Sequence, residues 1–335
     1  MRFLIPVALL AVAFMGCRGV SPRAEDWVAS APEKSVMGVS CHLGWMLEMP
    51  EFRQLVTRYP VFDQALELFL DRAKIDPASE TGRVSVYALK IPNMDTASAN
   101  DLRETALIQI AGFRDPKAIQ QVIAETFPPE GSLSMGGREY PLFVVLDMVL
   151  DKIDIHIRMF TDGDGRLWIG DLAAFQDLSK KRQIGIDGPI PRASEWVSPS
   201  GAVQGFVQPE LIPKDALKEL AGVIPAGIKG LAWSFSPTQS DGQIISLDLA
   251  VTGTDEAVTK LKPWMQRLFT MASTLAGEGA GQPETVQEGN RMGIRCQFRQ
   301  DQLSSALDMI NLKDLIPIPA ETEFPKSGKA TGKAK

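Results

Sequence analysis

Several stretches of this chain occur twice in the same order, and that order constrains the fold more than any single residue. Arg23-Ala24-Glu25-Asp26-Trp27-Val28-Ala29 is matched by Arg192-Ala193-Ser194-Glu195-Trp196-Val197-Ser198. Ser35-Val36-Met37-Gly38-Val39 then falls on Ala202-Val203-Gln204-Gly205-Phe206, and Arg53 to Pro60 on Lys218 to Pro225. Gly82 to Pro92 matches Gly227 to Pro237 in length. Ala106, Ile108, Ile110 and Gly112 fall on Leu247, Leu249, Val251 and Gly253, and Gly136 to Val145 on Gly289 to Phe298. Each pair alone is weak, and the conserved order is what points to one unit used twice, with Trp27 and Trp196 as its anchors.

Within a unit the periodicity reads as strand, helix, two strands, helix, and one or two closing strands. Val36 to Leu43 alternates as a strand. Leu66, Phe69, Leu70 and Ala73 lie at helical spacing inside a segment from Glu48 to about Lys74. Arg83 to Ile91 and Thr105 to Gly112 read as paired strands. Ser240-Asp241-Gly242-Gln243 is a hairpin turn in the second copy. Asp115 and Asp255 are expected to cap helices by accepting free backbone N–H groups, and Pro263 is expected to kink or restart the second of these. The first copy carries an extra hairpin, Ile153 to Phe160 and Arg166 to Gly170, around Thr161-Asp162-Gly163-Asp164-Gly165. This βαββαβ order resembles the ferredoxin-like arrangement. The expected class is therefore α+β: two tandem copies of the unit, each a mainly antiparallel sheet with helices on one face. The expected organisation is a leader at 1–17, a first repeat at 18–190, a second at 191–312, and a disordered lysine-rich tail at 313–335.

The leader decides the address. Met1 to Met15 has one positive charge near its start and then an uncharged apolar stretch, which reads as a secretory signal and is too short to span a bilayer core. Phe14-Met15-Gly16-Cys17 resembles the lipobox of bacterial lipoproteins. That resemblance, which covers residues 1–17, implies that Cys17 is lipidated, becomes the first mature residue, and tethers the chain to a membrane of the cell envelope, facing the periplasm or the exterior. Two or more acyl chains hold a protein on a membrane durably. An ordinary cleaved signal and a short uncleaved anchor are the other readings of the same run. The body as a whole is loosely similar to duplicated α+β envelope lipoproteins, a likeness of fold that implies no reaction.

A net charge of −6 and no basic block in the body argue against nucleic-acid binding. The tail from Pro325 to Lys335 carries four lysines and no acid, which suits a solubilising extension. Besides Cys17 the chain has Cys41 and Cys296, each on the apolar side of an alternating stretch. They read either as separate buried thiols or as a bridge between first and last strands, which an exported compartment permits.

Chemistry is hard to assemble from the remaining residues. The two histidines, His42 and His156, fall on polar strand faces with Gly38 and Ser40, and with Asp154 and Arg158. They are expected to be solvated and without partners, which leaves no buried Ser-His-Asp set. Gly38-Val39-Ser40-Cys41-His42 lacks the second glycine of a nucleophile elbow and reads as a strand. Asp162 to Gly165 runs straight into a strand, so it is expected to be a tight turn and not a calcium loop. No metal, cofactor or phosphate-cradling loop is expected. Trp264, Met265, Leu268, Phe269 and Met271 form an apolar stripe expected to pack on the sheet, or else to serve as a groove. The sequence thus supports a lipid-anchored, non-catalytic binding or scaffold protein, with an envelope protein or small ligand bound between the copies. Its alternatives are a carboxylate-based envelope hydrolase and a carrier of an apolar ligand.

Overall fold

A computed structural model of the chain describes residues 28, 31–48, 67, 70–75, 82–90, 105–113, 115–135, 137–150, 153–179, 190, 196–197, 201, 203–212, 225–237, 244–276 and 283–299. The strands are β1 (Met37–His42), β2 (Arg83–Ala88), β3 (Ala106–Ala111), β4 (Pro129–Met135), β5 (Arg138–Leu150), β6 (Ile153–Thr161), β7 (Leu167–Asp171), β8 (Val203–Val207), β9 (Ile228–Pro237), β10 (Ile244–Gly253), β11 (Glu284–Glu288) and β12 (Arg291–Arg299). The described helices are α1 (Leu43–Glu48), α2 (Pro116–Thr126), α3 (Leu172–Ser179) and α4 (Asp255–Ala276).

The expected α+β class, with two sheets each carrying helices on one face, is overturned. All twelve strands belong to one antiparallel sheet in the order β11-β12-β10-β9-β8-β1-β2-β3-β7-β6-β5-β4. The physical reason is that β1 and β8 would otherwise each be an edge with unpaired backbone groups. β1 and β8 satisfy each other, with Met37 opposite Val207, Gly38 opposite Phe206, Val39 opposite Gly205 and Ser40 opposite Gln204. The extra hairpin β6–β7 enters the ladder between β3 and β5, so the first half contributes seven strands and the second five.

Helices lie on both faces. On the first face α1 and α2 cover Val84, Met159 and Leu167, with Leu43, Leu47, Ile119, Val122 and Ile123 buried among them. On the same face α4 lays Val258, Leu261, Met265 and Phe269 on Val251, Met292, Ile294 and Cys296. Of the apolar stripe, Met265 and Phe269 thus pack on the sheet, the side chains of Trp264, Leu268 and Met271 lying outside the described ones, and α4 runs through Pro263 as one helix. On the second face α3 buries Phe175 against Phe160, Trp168, Tyr87 and Phe206. The Phe160 and Phe175 rings meet edge-on with centroids 5.1 Å apart, and Trp168 stacks between Phe160 and Tyr87. Val28 joins this cluster, and its counterpart Val197 packs on Ala232 and Ala250. Trp196 lies over Gly293, where a β-carbon would stand 2.6 Å from the indole.

Local chemistry sets the helix starts. The Asp115 carboxylate accepts from Lys117 N at 3.1 Å and Ala118 N at 3.0 Å, and Pro116 takes a first-turn position where no N–H is needed. Asp115→Ala should cost about 1 kcal/mol, read as a shift of the urea midpoint with an unchanged slope. At α4 the cap is Thr254, whose Oγ1 accepts from Ala257 N at 3.2 Å, and not Asp255, which sits in the first turn. The segment from Glu48 to Lys74, the turn at Ser240–Gln243, the leader and the tail lie wholly or largely outside the described residues.

Candidate functional site

On the second face a row of directly opposed residues crosses the sheet. Gln109 faces Ser85, Ser85 faces Ser40, Ser40 faces Gln204, Gln204 faces Ser234, Ser234 faces Asp248, and Asp248 faces Arg295. Alternation along each strand puts these polar side chains on one face, where sequence reasoning expects water. All of them except Arg295 at the end of the row are buried instead, Ser40, Gln109 and Ser234 completely.

The centre of this row lies beside the β1–β8 seam. Arg83 opens β2 and is only 4% exposed. Its Nε donates to Ser40 Oγ at 2.9 Å, its Nη2 to the Ser40 carbonyl at 3.2 Å, and its Nη1 to the Gly201 carbonyl at 3.1 Å. Ser85 Oγ donates to Ser40 Oγ at 3.0 Å. Arg83 therefore ties β1 and β2 to the segment that leads into β8. Every acceptor it has is a neutral oxygen, and among the described residues no carboxylate pairs with it. Three other guanidiniums pair with carboxylates. Arg158, equally buried, pairs with Asp147 at 2.6 Å and Glu130 at 2.5 Å. Arg295 pairs with Asp248 at 2.7 Å, and Arg166 with Asp164 at 3.0 Å.

The charge on Arg83 dominates its surroundings. Burial draws its own pKa down to about 10. His42, directly opposite in the ladder and 3% exposed, is pushed down to about 4, first by burial and then by the neighbouring guanidinium. The expectation of a solvated, partnerless His42 is therefore corrected: the imidazole is buried and neutral at pH 7. For His156 only the absence of a partner is corrected: the side chain is part-exposed, its Nδ1 lies 2.9 Å from Asp147 Oδ1, and its backbone N–H donates to Asp171 at 3.0 Å. Asp147 is held below the usual carboxylate range by its hydrogen bonds from Arg158 and then from His156.

The cysteines fall on the apolar side as expected, Cys41 against the α2 cluster and Cys296 in the α4 core. Both are free thiols. Strands β8, β9 and β10 separate β1 from β12. Four strand spacings amount to about 19 Å, far beyond the roughly 7 Å that a disulfide spans. Burial pushes the Cys41 thiol up to about 11, opposed in part by Arg83, so it is a poor nucleophile at neutral pH.

The loop at Asp162 to Gly165 is a turn that satisfies itself. Asp162 Oδ1 accepts from Asp164 N and Arg166 N, each at 3.0 Å, and Oδ2 accepts from Trp168 Nε1 at 2.9 Å. Gly165 has φ of +78° and lies against Pro116, so no other residue fits there without strain. Among the described residues no three His, Cys, Asp or Glu side chains are grouped to hold a metal.

Sequence reasoning missed Arg83, Asp248 and Arg295. The alternation of Arg83, Ser85 and Tyr87 with Val84, Val86 and Ala88 was a readable sign that they share a face, but it says nothing about what covers that face. No family model, curated protein or solved structure matches the chain.

Proposed function

We propose that this chain is a lipid-anchored protein of the cell envelope that binds a ligand or partner and does not transform it. In this reading Cys17 holds it to the membrane and the seam between the two halves is its binding region. The observation that carries the binding part is Arg83, a buried cation beside the β1–β8 ladder whose hydrogen bonds all go to neutral oxygens. Keeping an uncompensated charge out of water costs several kcal/mol, a cost that a fold bears most readily where an outside group contributes to the site. The neighbouring groups suit binding better than turnover. A histidine that stays neutral down to about pH 4 and a thiol that ionises near pH 11 are poorly matched to proton transfer or attack at neutral pH. The tether rests on Phe14-Met15-Gly16-Cys17 and the apolar run before it.

The intact mass of the mature chain from a membrane fraction tests the anchor. It should begin at Cys17 and carry added acyl mass, and Cys17→Ala should abolish both the acylation and the processing. A soluble chain cut elsewhere and indifferent to that substitution would remove the anchor from this reading.

A further inference from the structure

We propose that Arg83 is the centre of a binding site for a small oxyanion, the carboxylate or phosphate group of the chain's ligand. This rests on the binding reading above and names the chemistry that the seam would recognise. A guanidinium carries five N–H donors, and three are used here, on Ser40 Oγ, the Ser40 carbonyl and the Gly201 carbonyl. Two remain, on a side chain that is nine-tenths buried and has no carboxylate partner among the described residues. Arg158 shows how this fold treats a buried guanidinium that needs no ligand, since Asp147 and Glu130 both reach it. Around Arg83 the second face offers hydroxyls. Ser40 Oγ, which accepts from both Arg83 and Ser85, keeps its own proton to donate, and His42 stands directly opposite with one ring N–H while neutral. A guanidinium, a hydroxyl and an imidazole with no acid among them form a donor set. Charge-assisted bonds to an anion are about twice as strong as those to neutral oxygens and favour the planar fork of arginine.

The test is thermal unfolding of the full mature chain in inorganic phosphate, in acetate, and in chloride at the same ionic strength. Phosphate or acetate should raise the midpoint saturably and chloride should not. Arg83→Met should abolish the rise, and Arg83→Lys should weaken half-saturation by about tenfold. Saturation by acetate alone would assign a carboxylate ligand, and by phosphate alone a phosphate ligand. Equal shifts in wild type and Arg83→Met, or none in either, would overturn the proposal. If Arg83→Met does not fold, the 15Nε–Hε resonance of Arg83 in the wild type carries the same test, since it must move with the anion and not with chloride. Native mass spectrometry of the chain taken from membranes separates the two levels of the argument. An uncharged co-purifying ligand overturns the oxyanion and leaves the binding reading standing. No ligand together with no anion effect removes both.

Discussion

Arg295→Met should destabilise this protein by about 3–5 kcal/mol, more than Asp248→Asn, although Arg295 is the half-exposed member of the pair. Asp248 is 1% exposed. It accepts from Arg295 Nε at 2.7 Å and Nη2 at 3.4 Å, from Ser246 Oγ at 3.2 Å, and from Ser234 Oγ at 3.3 Å. Removing Arg295 takes from the buried carboxylate the guanidinium that holds both of its oxygens. Removing the carboxylate instead frees a guanidinium that can turn to water, so Asp248→Asn should cost only about 1.5–3 kcal/mol, the scale of a lost hydrogen bond to a charged group. The double variant should be more stable than Arg295→Met alone, because the stranded charge is gone. Urea unfolding of the four proteins gives the cycle. An Arg295→Met loss below 1 kcal/mol, or a double variant worse than either single one, would show that Asp248 finds compensation elsewhere.

Local order was legible in the sequence wherever one strand or turn determines itself. Alternation put Cys41 and Cys296 with the apolar side chains, the Asp-Gly-Asp-Gly run marked the turn before β7, and Asp115 marked the start of α2. What failed was everything decided between distant segments. The ladder between β1 and β8 joins the two halves of the chain, and no periodicity inside either half announces that these strands will pair and merge two expected sheets into one. The same limit hid the site. Ser40, His42, Arg83 and Ser85 read as a polar face, and a polar face facing water is the ordinary expectation for an antiparallel sheet. Their burial depends on segments such as the one at Gly201, which lies 118 residues from Arg83. The helix cap at α4 failed for a smaller reason. Thr254 and Asp255 are adjacent residues that can both cap, and the backbone leaves β10 so that Thr254 takes the position.

Acid should weaken this fold through His42, by about 3 kcal/mol between pH 6.5 and pH 4. At pH 7 the imidazole is neutral in the folded chain and mostly neutral in the unfolded one, so the penalty there is small. As pH falls below the ordinary histidine value of 6.5, the unfolded chain takes up the proton while the folded chain, held down to about 4 by burial and by Arg83, does not. The unfolded state then binds more protons, and stability falls by about 1.4 kcal/mol per pH unit. The loss levels off only below about pH 4, where folded His42 protonates beside Arg83. His42→Gln removes the titration while keeping a polar side chain, so its stability should fall less steeply across this window. Carboxylates contribute equally to both proteins, and the difference between their pH profiles isolates the histidine. Chemical unfolding at pH 7, 6, 5 and 4 measures it. Parallel profiles would mean that His42 meets water in the folded state, and would take away the buried, carboxylate-free surroundings on which the reading of Arg83 depends.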